Sequence, residues 1–528
     1  MRRPRYRRHL IRTCGSLLAL GFLAGPAPVL AGSDMLRIRL NSDIRSTEPG
    51  MNRDENTDAV VMHVVEGLVA YREDASIGPM LARSIEIAPD GLTYTFKLRE
   101  GVKFHNGAPL SADDVLFAWK RYLDPQNNWR CLSEFDGRGL AKITGITAPD
   151  PMTVVFTLDK PSALFLTTMA RTDCGEAGIY HRSSLDADGK WREPVGTGPF
   201  KLGDWKHGEY IDLVRNDQYA ALSGQPDGLT GNKTPLVPKV RFVIIPDPSA
   251  AKAALMADGI DVISRIQNTD LAEYKARKDI VTDGGPTMEI EGLLFQTRDP
   301  ALQDVRIRRA LMLSLDLPQL VAAVSDGQAK ASRSIIPPPS PYYGKPQADL
   351  PPRDLAAAKK LLADAGYKGQ PIRMITNKRY EAMFDASVLV QAMAQEAGIT
   401  IELQVLDWAT ELDRYTKGDY QAMSFGYSAR LDPSLSFEMI SGDKDKQPRK
   451  VWDNPDALAL LAKSMQVPGK PERQAIFDQM EEIFRADVPM IPLYAVFQTA
   501  AVRSNVAGYR SWALGQPRAW GVSIKPAG

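Results

Sequence analysis

The segment Leu81–Asp114 constrains the fold of this chain more than any other part of the sequence. It reads LARSIEIAPDGLTYTFKLREGVKFHNGAPLSADD. Residues 94–98 alternate between apolar and polar side chains, which predicts a strand with one buried face. The preceding Asp90-Gly91 pair is a turn signal, so two strands should form a hairpin around it. Ser111 stands before two acidic residues and an apolar-periodic run, which predicts the N-cap of a helix. Many folds contain a hairpin followed by a helix, so this pattern by itself indicates no function.

The N-terminus has the three parts of a secretory signal peptide. Residues 1–12 carry six arginines and no acid, Leu17–Ala24 is apolar, and Val29-Leu30-Ala31 is typical of a cleavage site. A membrane anchor is the alternative, but the apolar run is too short to span a bilayer. Cys14 precedes the apolar run, which argues against a lipid attachment site. We therefore expect residues 1–31 to be a cleaved signal peptide and the mature protein to be periplasmic.

Length and charge exclude two classes of protein. The chain has 528 residues and a formal net charge of +1, which becomes −5 when the six arginines of the signal peptide are removed. Nucleic-acid binding needs a concentrated basic surface, so we expect no nucleic-acid partner. No stretch after the signal peptide reaches 18 apolar residues, and no transmembrane segment is predicted. The remaining length, about 497 residues, predicts two or more domains.

Two cysteines remain after removal of the signal peptide, Cys131 and Cys174. In an oxidising compartment an isolated pair most simply forms a disulfide. The bond would close a loop of about 44 residues and stabilise the fold by about 4 kcal/mol, an upper-side figure. Two free buried thiols are the alternative, since cysteine is commonly buried.

Periodicity predicts the order of elements along the chain. Residues 195–215 predict a hairpin, and 240–263 predict a strand, a helix and a second strand. A strand-helix-strand order indicates a parallel α/β layer. Asp58–Leu68 has an apolar stripe that predicts a helix, and the proline-rich segment Ile335–Pro352 predicts a loop. The other predicted strands are Leu36–Leu40, Ile372–Thr376, Ile399–Leu406, Gln421–Tyr427 and Pro489–Phe497; the other predicted helices are Arg306–Leu315, Asp354–Ala365, Tyr380–Ala397, Asn454–Gln466 and Pro471–Asp487.

Six blocks of the sequence together resemble one protein family. Leu81–Asp114 closely resembles the signature segment of the family 5 extracytoplasmic solute-binding proteins, which are periplasmic receptors of ABC importers for peptides, nickel and some sugars. Five further blocks resemble the same family in the same order, and together they cover nearly the whole mature chain. These blocks are Val195–Phe200, Ala254–Val262, Asp304–Leu311, Ala358–Tyr367 and Val488–Tyr494. Each block is weak alone, whereas their order and spacing are specific.

The resemblance implies an α/β fold, namely the two-lobed periplasmic binding protein fold (class II, cluster C-like) with an extra domain inserted in the first lobe. Lobe I would be discontinuous, with residues 32–70, 193–290 and 497–528. The inserted domain would be 71–192, with both cysteines, and lobe II would be 291–496. Such receptors close on a ligand by a hinge motion and then dock on an inner-membrane ABC permease. The resemblance thus implies a monomeric receptor for a small-molecule or peptide ligand, with no catalysis and no cofactor.

In peptide-binding members of this family, a carboxylate just after a Gly-Trp strand end holds the α-amine of the peptide. The matching stretch here is Phe425–Pro433, and Arg430 occupies the position of the carboxylate. An arginine repels an ammonium group and suits a carboxylate or phosphate. Either Asp432 takes over the amine, or the ligand offers an anion to Arg430, which charge chemistry favours. A third alternative is that Arg430 points outward or pairs with Asp432.

Aromatic residues nearby also match pocket positions of the peptide binders. Trp408 and Tyr415 align without a gap to Tyr427, and their rings could stack on ligand groups. A core position is the alternative for Trp408.

Four further residues match pocket-lining positions of the family. Glu289 and Glu291 lie near the predicted lobe crossing, and Asn56 and Thr57 follow the first strand. Two acids together with Arg430 would fit a zwitterionic ligand.

A secreted hydrolase is the rival class. The four histidines of the mature chain form no HExxH motif, and there is no G-x-S-x-G elbow. No metal site is predicted from histidine spacing, although nickel receptors of this family need few protein ligands. A receptor on the same fold for an opine, a sugar derivative or a nickel chelate is the other alternative to a peptide receptor.

Overall fold

The computed structural model describes residues 35–51, 55–138 and 141–525. The predicted signal peptide, residues 1–31, lies outside these described residues. Within them the chain forms 20 β-strands and 14 α-helices. The strands are β1 (Met35–Leu40), β2 (Val69–Tyr71), β3 (Ile77–Pro79), β4 (Ala82–Ile87), β5 (Thr93–Leu98), β6 (Ile143–Asp150), β7 (Thr153–Leu158), β8 (Phe200–Lys206), β9 (Tyr210–Arg215), β10 (Pro226–Asp227), β11 (Thr230–Gly231), β12 (Lys239–Ile244), β13 (Val262–Ile263), β14 (Ile280–Phe295), β15 (Ile372–Asn377), β16 (Ile401–Leu406), β17 (Ala422–Tyr427), β18 (Met490–Arg503), β19 (Val506–Ala507) and β20 (Ser523–Ile524). The helices are α1 (Glu55–Val61), α2 (Ala112–Tyr122), α3 (Phe165–Met169), α4 (Pro248–Met256), α5 (Leu271–Lys275), α6 (Val305–Ser314), α7 (Leu317–Val324), α8 (Lys345–Ala348), α9 (Leu355–Asp364), α10 (Glu381–Glu396), α11 (Trp408–Lys417), α12 (Pro433–Ile440), α13 (Pro455–Ser464) and α14 (Lys470–Asp487).

Ten strands form one mixed sheet in the order β16-β15-β17-β14-β18-β13-β1-β12-β9-β8. Strands β12 and β13 pair parallel to β1 on its two sides, with α4 between them in the chain. This confirms the parallel layer predicted over 240–263. At the other end, β15 pairs parallel with β16 and with β17. Strands β8 and β9 are antiparallel neighbours, which confirms the hairpin predicted over 195–215.

Two long antiparallel strands connect the two ends of this sheet. β14 has 16 residues and β18 has 14, whereas most strands have about 5–6. Their register shifts twice, between Pro286 and Ile290 and between Glu291 and Gly292. Such bulges bend a strand and re-aim its side chains. The predicted lobe boundaries at 290/291 and 496/497 fall within these two strands, and the division of the chain into lobes stays a prediction.

A smaller antiparallel sheet, in the order β4-β5-β7-β6, lies within the predicted inserted domain 71–192. Trp119 of α2 packs on it, with its ring centroid 5.0 Å from that of Phe156. Cys131 and Cys174 are buried in the same apolar core and form a disulfide, with Cα atoms 5.7 Å apart. This confirms the disulfide predicted from the cysteine count.

The hairpin and the capped helix predicted within Leu81–Asp114 are both present. Strands β4 and β5 pair antiparallel around the predicted turn. Ser111 precedes α2, and its backbone N–H and hydroxyl donate to the carboxylate of Asp114 at 2.9 and 2.8 Å. The acid therefore closes the first turn of the helix, as a capping residue does.

The helix predicted over Asp58–Leu68 is wrong in its length, because α1 ends at Val61. Beyond it, the carbonyl oxygen of Val64 accepts a hydrogen bond from the backbone N–H of Gly198 at 3.0 Å. A Cβ atom on Gly198 would lie 2.8 Å from that oxygen, so the glycine lets the two backbones meet. Tertiary pairing with a distant segment thus replaces the helical hydrogen bonds that the apolar stripe suggested.

No helix in the described part of the chain is both long and apolar enough to cross a membrane.

Candidate functional site

A cavity of about 460 Å³ opens beside the paired strands β14 and β18, at the point where they run from one end of the ten-stranded sheet to the other. We call this point the β14–β18 crossing. The end of β17 and the first turns of α10 and α11 lie around the cavity. It is lined by Arg265, Ile266, Asn268, Glu289, Glu291, Val324, Ser325, Tyr380, Ala382, Met383, Trp408, Gly426, Tyr427, Ser428, Tyr494, Val496, Phe497 and Gln498. Its size is in the range of pockets that enclose small ligands.

The first bulge in β14 brings Glu289 into this wall. Thr287 donates its hydroxyl to the carbonyl oxygen of Val496 at 3.0 Å, and the backbone N–H of Glu289 donates to the same hydroxyl at 3.2 Å. Glu291 follows two residues later, so both carboxylates project from one side of the strand. The predicted pair of acids therefore meets at one cavity.

Arg265 supplies positive charge on the opposite side of Glu289. It follows β13, and its guanidinium lies 3.5 Å from a carboxylate oxygen of Glu289. Its side chain is 52% exposed and that of Glu289 34%, so both groups still face solvent in the cavity. An exposed ion pair of this kind contributes about 0–1 kcal/mol, and a ligand could compete for either partner at little cost.

Glu291 lies at the floor of the cavity, opposite Gly426 on β17 and Tyr494 on β18. A Cβ atom on Gly426 would lie 2.5 Å from a carboxylate oxygen of Glu291, so the glycine makes room for this acid. Burial raises the pKa of Glu291 to about 8, and the charge of Glu289 adds to the effect while Arg265 opposes it. The carboxyl group is therefore protonated near neutral pH.

A third acid, Glu411 of α11, lies behind the wall. It is fully buried and accepts a hydrogen bond from the amide of Asn377 at 2.8 Å. Burial raises the pKa of Glu411 to about 7, against the opposing effect of that hydrogen bond.

Aromatic rings cover the part of the cavity nearest α10 and α11. Trp408 lines the cavity and meets Tyr380 edge to face, with ring centroids 4.9 Å apart. Tyr427 also lines it, while Tyr415 lies behind and stacks on Phe425 at 4.4 Å. The Tyr415 hydroxyl donates to that of Tyr427 at 3.5 Å. Tyr415 therefore supports the wall and does not line the cavity.

Comparison with known proteins decides the family. Residues 76–448 match the family model described as bacterial extracellular solute-binding proteins, family 5 middle. The chain belongs to this family of solute-binding proteins. It is 27% identical to heme-binding protein A of Haemophilus influenzae over 88% of each chain, and 27% identical to the dipeptide-binding protein of Escherichia coli over 85% of this chain and 86% of that one. Among solved structures it resembles HbpA2 from Haemophilus parasuis with a TM-score of 0.80, at 26% identity over 93% of this chain and all of the other.

The family resemblance also pointed to Asn56 and Thr57, which lie outside the main cavity. Asn56 lines a recess of about 100 Å³ that shares Arg265 with the cavity, and its amide donates to Asn41 at 2.8 Å. Thr57 is buried in α1, and its hydroxyl accepts a hydrogen bond from the backbone of Arg45 at 3.3 Å.

Arg430 lies on the loop after β17 and does not line the cavity. Its guanidinium donates to the carbonyl oxygen of Ala429 at 3.0 Å. Burial of Asp173 is outweighed by the hydrogen bond and charge of Arg171, with smaller contributions from Arg130 and Arg430, so the pKa of Asp173 is lowered. Arg430 is thus close to the disulfide-bonded segment of the inserted region.

Asp432 is buried and bound within the protein. It accepts two hydrogen bonds from the guanidinium of Arg473, at 2.6 and 2.8 Å, and one from the backbone N–H of Ser434 at 2.9 Å. The last of these caps the N-terminus of α12. The cavity wall does not include it.

Among the titratable lining residues, the sequence does not predict three, namely Arg265, Tyr380 and Tyr494. Tyr494 ends a recognised block, and Tyr380 begins a predicted helix, so their positions at element ends were available signals. Arg265 had no such signal, because it depends on the pairing of the two-residue strand β13 with β18. In the described ranges, no cluster of three or more His, Cys, Asp or Glu could hold a metal ion.

Proposed function

We propose that this protein is the substrate-binding component of an ABC importer and that it captures a peptide or a related small zwitterionic solute in the cavity at the β14–β18 crossing. The observation that carries the proposal is the pairing of opposite charges in one cavity wall. Glu289 and Glu291 offer carboxylates to an ammonium group, and Arg265 offers a guanidinium to a carboxylate.

Aromatic side chains would hold the body of the ligand between these charges. Trp408 and Tyr427 line the cavity together with Tyr380, and each presents an apolar ring with a polar edge. The predicted contributions of Asn56, Arg430 and Asp432 carry less weight, because these side chains lie in a neighbouring recess, on a loop and in a buried ion pair. Arg265 replaces Arg430 as the group proposed to bind an anion.

Delivery to an inner-membrane permease follows from the family. We propose a periplasmic, monomeric receptor whose signal peptide is removed after Ala31, which N-terminal sequencing of the exported protein would test. A mature chain that begins at Gly32 is the expected result, and retention of the first 31 residues would contradict it.

The non-peptide alternatives differ from a peptide receptor in the mass of the bound solute. Native mass spectrometry of the protein purified from its own periplasm would detect a co-purified ligand. A ladder of short peptides, or one short peptide bound one to one, is the expected result. An opine, a sugar derivative or a nickel chelate would redirect the proposal to that ligand, and turnover of added peptides would favour the rival hydrolase.

The aromatic wall gives a matched mutational test of the same proposal. Trp408→Ala should weaken binding of the identified solute by about tenfold, since an aromatic contact is worth roughly 0.5–1.5 kcal/mol beyond the area that it buries. Trp205→Ala removes a similarly half-buried ring far from the cavity and should leave affinity unchanged. Equal affinity in both variants would remove the cavity from the proposed binding site.

A further inference from the structure

Acidic groups outnumber basic groups around the cavity. Among its described lining residues, Glu289 and Glu291 are acidic and Arg265 is the single cation. Glu411 adds a third carboxyl group behind the wall. The cation is already next to Glu289, at 3.5 Å, so the other carboxyl groups have no basic partner there.

Glu291 is the acid that faces the cavity without a partner. In the described part of the chain, neither a side-chain hydrogen bond nor an ion pair engages its carboxyl group. Its neighbours on three elements are Gly426 of β17, Tyr494 of β18 and Met383 of α10, of which only Tyr494 can titrate. Burial raises the pKa of the Tyr494 hydroxyl, so this group stays neutral.

The charged groups that act on Glu291 from its surroundings are therefore few. Glu289 on its own strand and Glu411 on α11 disfavour its ionisation, and Arg265 after β13 favours it. The ring hydroxyls of Tyr427 and Tyr415 complete the polar surroundings, and burial raises the pKa of the Tyr427 hydroxyl. An ionised Glu291 would need one more positive charge nearby. Arg265 is already paired with Glu289, so the ligand would have to supply that charge.

We infer that Glu291 is the specificity-determining residue of this cavity and that it selects solutes with an ammonium centre, releasing its own proton to solvent as that centre binds. The inference rests on the proposed function and adds to it the residue that selects the ammonium centre and the proton that this residue releases. The step is balanced: the protonated carboxyl group and the ammonium ion become a carboxylate–ammonium pair and one free proton. No covalent bond to the ligand is formed.

Two further observations agree with this assignment. The pKa of Glu291, raised to about 8 by burial and by Glu289, keeps the empty cavity close to electrically neutral at pH 7. Tyr380 and Trp408 line the cavity and meet edge to face, and the Arg379 guanidinium lies 5.8 Å from the centroid of the Tyr380 ring, as expected of rings that attract cations.

Isothermal titration calorimetry with three probes tests the inference. The probes are the dipeptide Leu-Leu, its N-acetyl derivative and glycine betaine, titrated at pH 7.0 in phosphate and in Tris. Because these buffers take up protons with different enthalpies, the difference in binding heat gives the number of protons released. The first probe represents a peptide amino terminus and the third a small quaternary ammonium solute, so the result also distinguishes these two sources of the same chemistry.

For a probe with an ammonium centre we expect release of close to one proton per ligand at pH 7.0. As the pH is raised toward 8, affinity should rise about tenfold per pH unit, because the Glu291 carboxyl group must lose its proton for the ligand to bind. Glu291→Gln should abolish proton release and this pH dependence, while Glu402→Gln, at an exposed position on β16, should change neither. N-acetylation of the dipeptide should lower affinity at least a hundredfold.

The possible results separate the inference from the proposed function. Tight binding with no proton release, or equal affinity for Leu-Leu and its acetylated form, overturns the inference and leaves the receptor function intact. Failure of all three probes to bind overturns both in their present form. If Glu291→Gln folds poorly, the wild-type protein still tests the inference, through the dependence of its binding enthalpy on the buffer and of its affinity on pH.

Discussion

At the scale of single residues, Gly426 and Glu291 depend on each other. A methyl group on residue 426 would lie 2.5 Å from the Glu291 carboxylate and 2.8 Å from the terminal methyl of Met383. Both atoms are at the ends of flexible side chains, which can move without disturbing the backbone. Gly426→Ala should therefore turn the Glu291 carboxylate away at a cost of about 1–3 kcal/mol in unfolding free energy.

We expect Gly426→Ala to weaken binding of a probe that the wild-type protein binds by about tenfold, or ~1.4 kcal/mol. Titration calorimetry and chemical denaturation would measure the two effects separately. Gly145→Ala, at a position where a Cβ atom would meet nothing within 4 Å, is the control and should leave affinity unchanged. Unchanged affinity in Gly426→Ala would argue against a role for Glu291 in ligand contact.

The ion pair of Asp432 and Arg473 is a second case in which a single substitution should have a large effect, here on the unfolding free energy. Both side chains are almost fully buried, at 5% and 4% exposure. Removing one partner leaves a buried charge without compensation, so Arg473→Met should lower the unfolding free energy by about 3–5 kcal/mol. The exposed pair Lys360–Asp364 is the contrast, and Lys360→Met there should cost about 0.3–0.5 kcal/mol. Urea denaturation would measure both, and similar losses would contradict this account.

The sequence predicts which residues belong to the site better than it predicts which of them lie next to each other in the folded protein. The acids Glu289 and Glu291 were recognised, and alternation along a strand is enough to place both on one face. That Arg265 faces them could not be predicted, because it depends on a register between strands more than 200 residues apart. For Asp432 the sequence offered an amine-binding role, while its N-cap position before Pro433 is equally visible in hindsight.

At the scale of elements, the long and strongly periodic segments were predictable. Helices α6, α9, α10, α13 and α14 and strands β15, β16 and β17 lie within two residues of their predicted bounds. Helices α7, α11 and α12, of 8, 10 and 8 residues, were not predicted, although an aspartate N-cap begins each one. Strand β18 was predicted at little more than half its length; its second half stays paired with β14 and also pairs with the two-residue strand β13.

The disulfide is an element-scale constraint on the inserted region. It joins residues 43 apart in sequence, and Cys174 lies within the short helical segment Thr172–Ala177. The double variant Cys131→Ala/Cys174→Ala should lower the unfolding free energy by about 2–4 kcal/mol, since the unfolded chain regains loop entropy. Dithiothreitol should lower the melting temperature of the wild-type protein and leave that of the double variant unchanged. A reductant effect of equal size in both proteins would contradict a stabilising disulfide.

At the scale of the whole molecule, burial of acids makes stability depend on pH. Glu176 is 2% exposed, and neither carboxylate oxygen has a hydrogen-bond partner among the described residues. The nearby Lys233 ammonium is 3.1 Å from Glu66, which leaves Glu176 without a counter-charge of its own. Burial raises the pKa of Glu176 to about 8, with Lys233 opposing and Glu66 adding to the shift.

Other buried acids also keep their protons in the folded state above pH 6.5, as Glu176 does. The pKa of Glu291 is also raised to about 8 by burial, and burial raises that of Glu481 to about 7. Burial lowers the pKa of His63 to about 3 and that of His105 to about 4, so these groups affect stability only below the usual histidine value of 6.5. Between pH 6.5 and 8, the folded protein therefore holds protons that the unfolded chain has already lost.

Stability must then fall as the pH rises through this window, because the state that binds more protons is favoured at low pH. Each fully buried acid contributes a slope of about 1.4 kcal/mol per pH unit until the pH reaches its folded pKa. Glu176→Gln removes one such group, so the difference in unfolding free energy between variant and wild type should grow in favour of the variant from pH 6.5 to 8. Urea denaturation at pH 6.5, 7.5 and 8.5 measures this difference, with Glu402→Gln as the exposed control. Parallel curves for Glu176→Gln and wild type would mean that Glu176 is already ionised in the folded protein, with Lys233 as its partner.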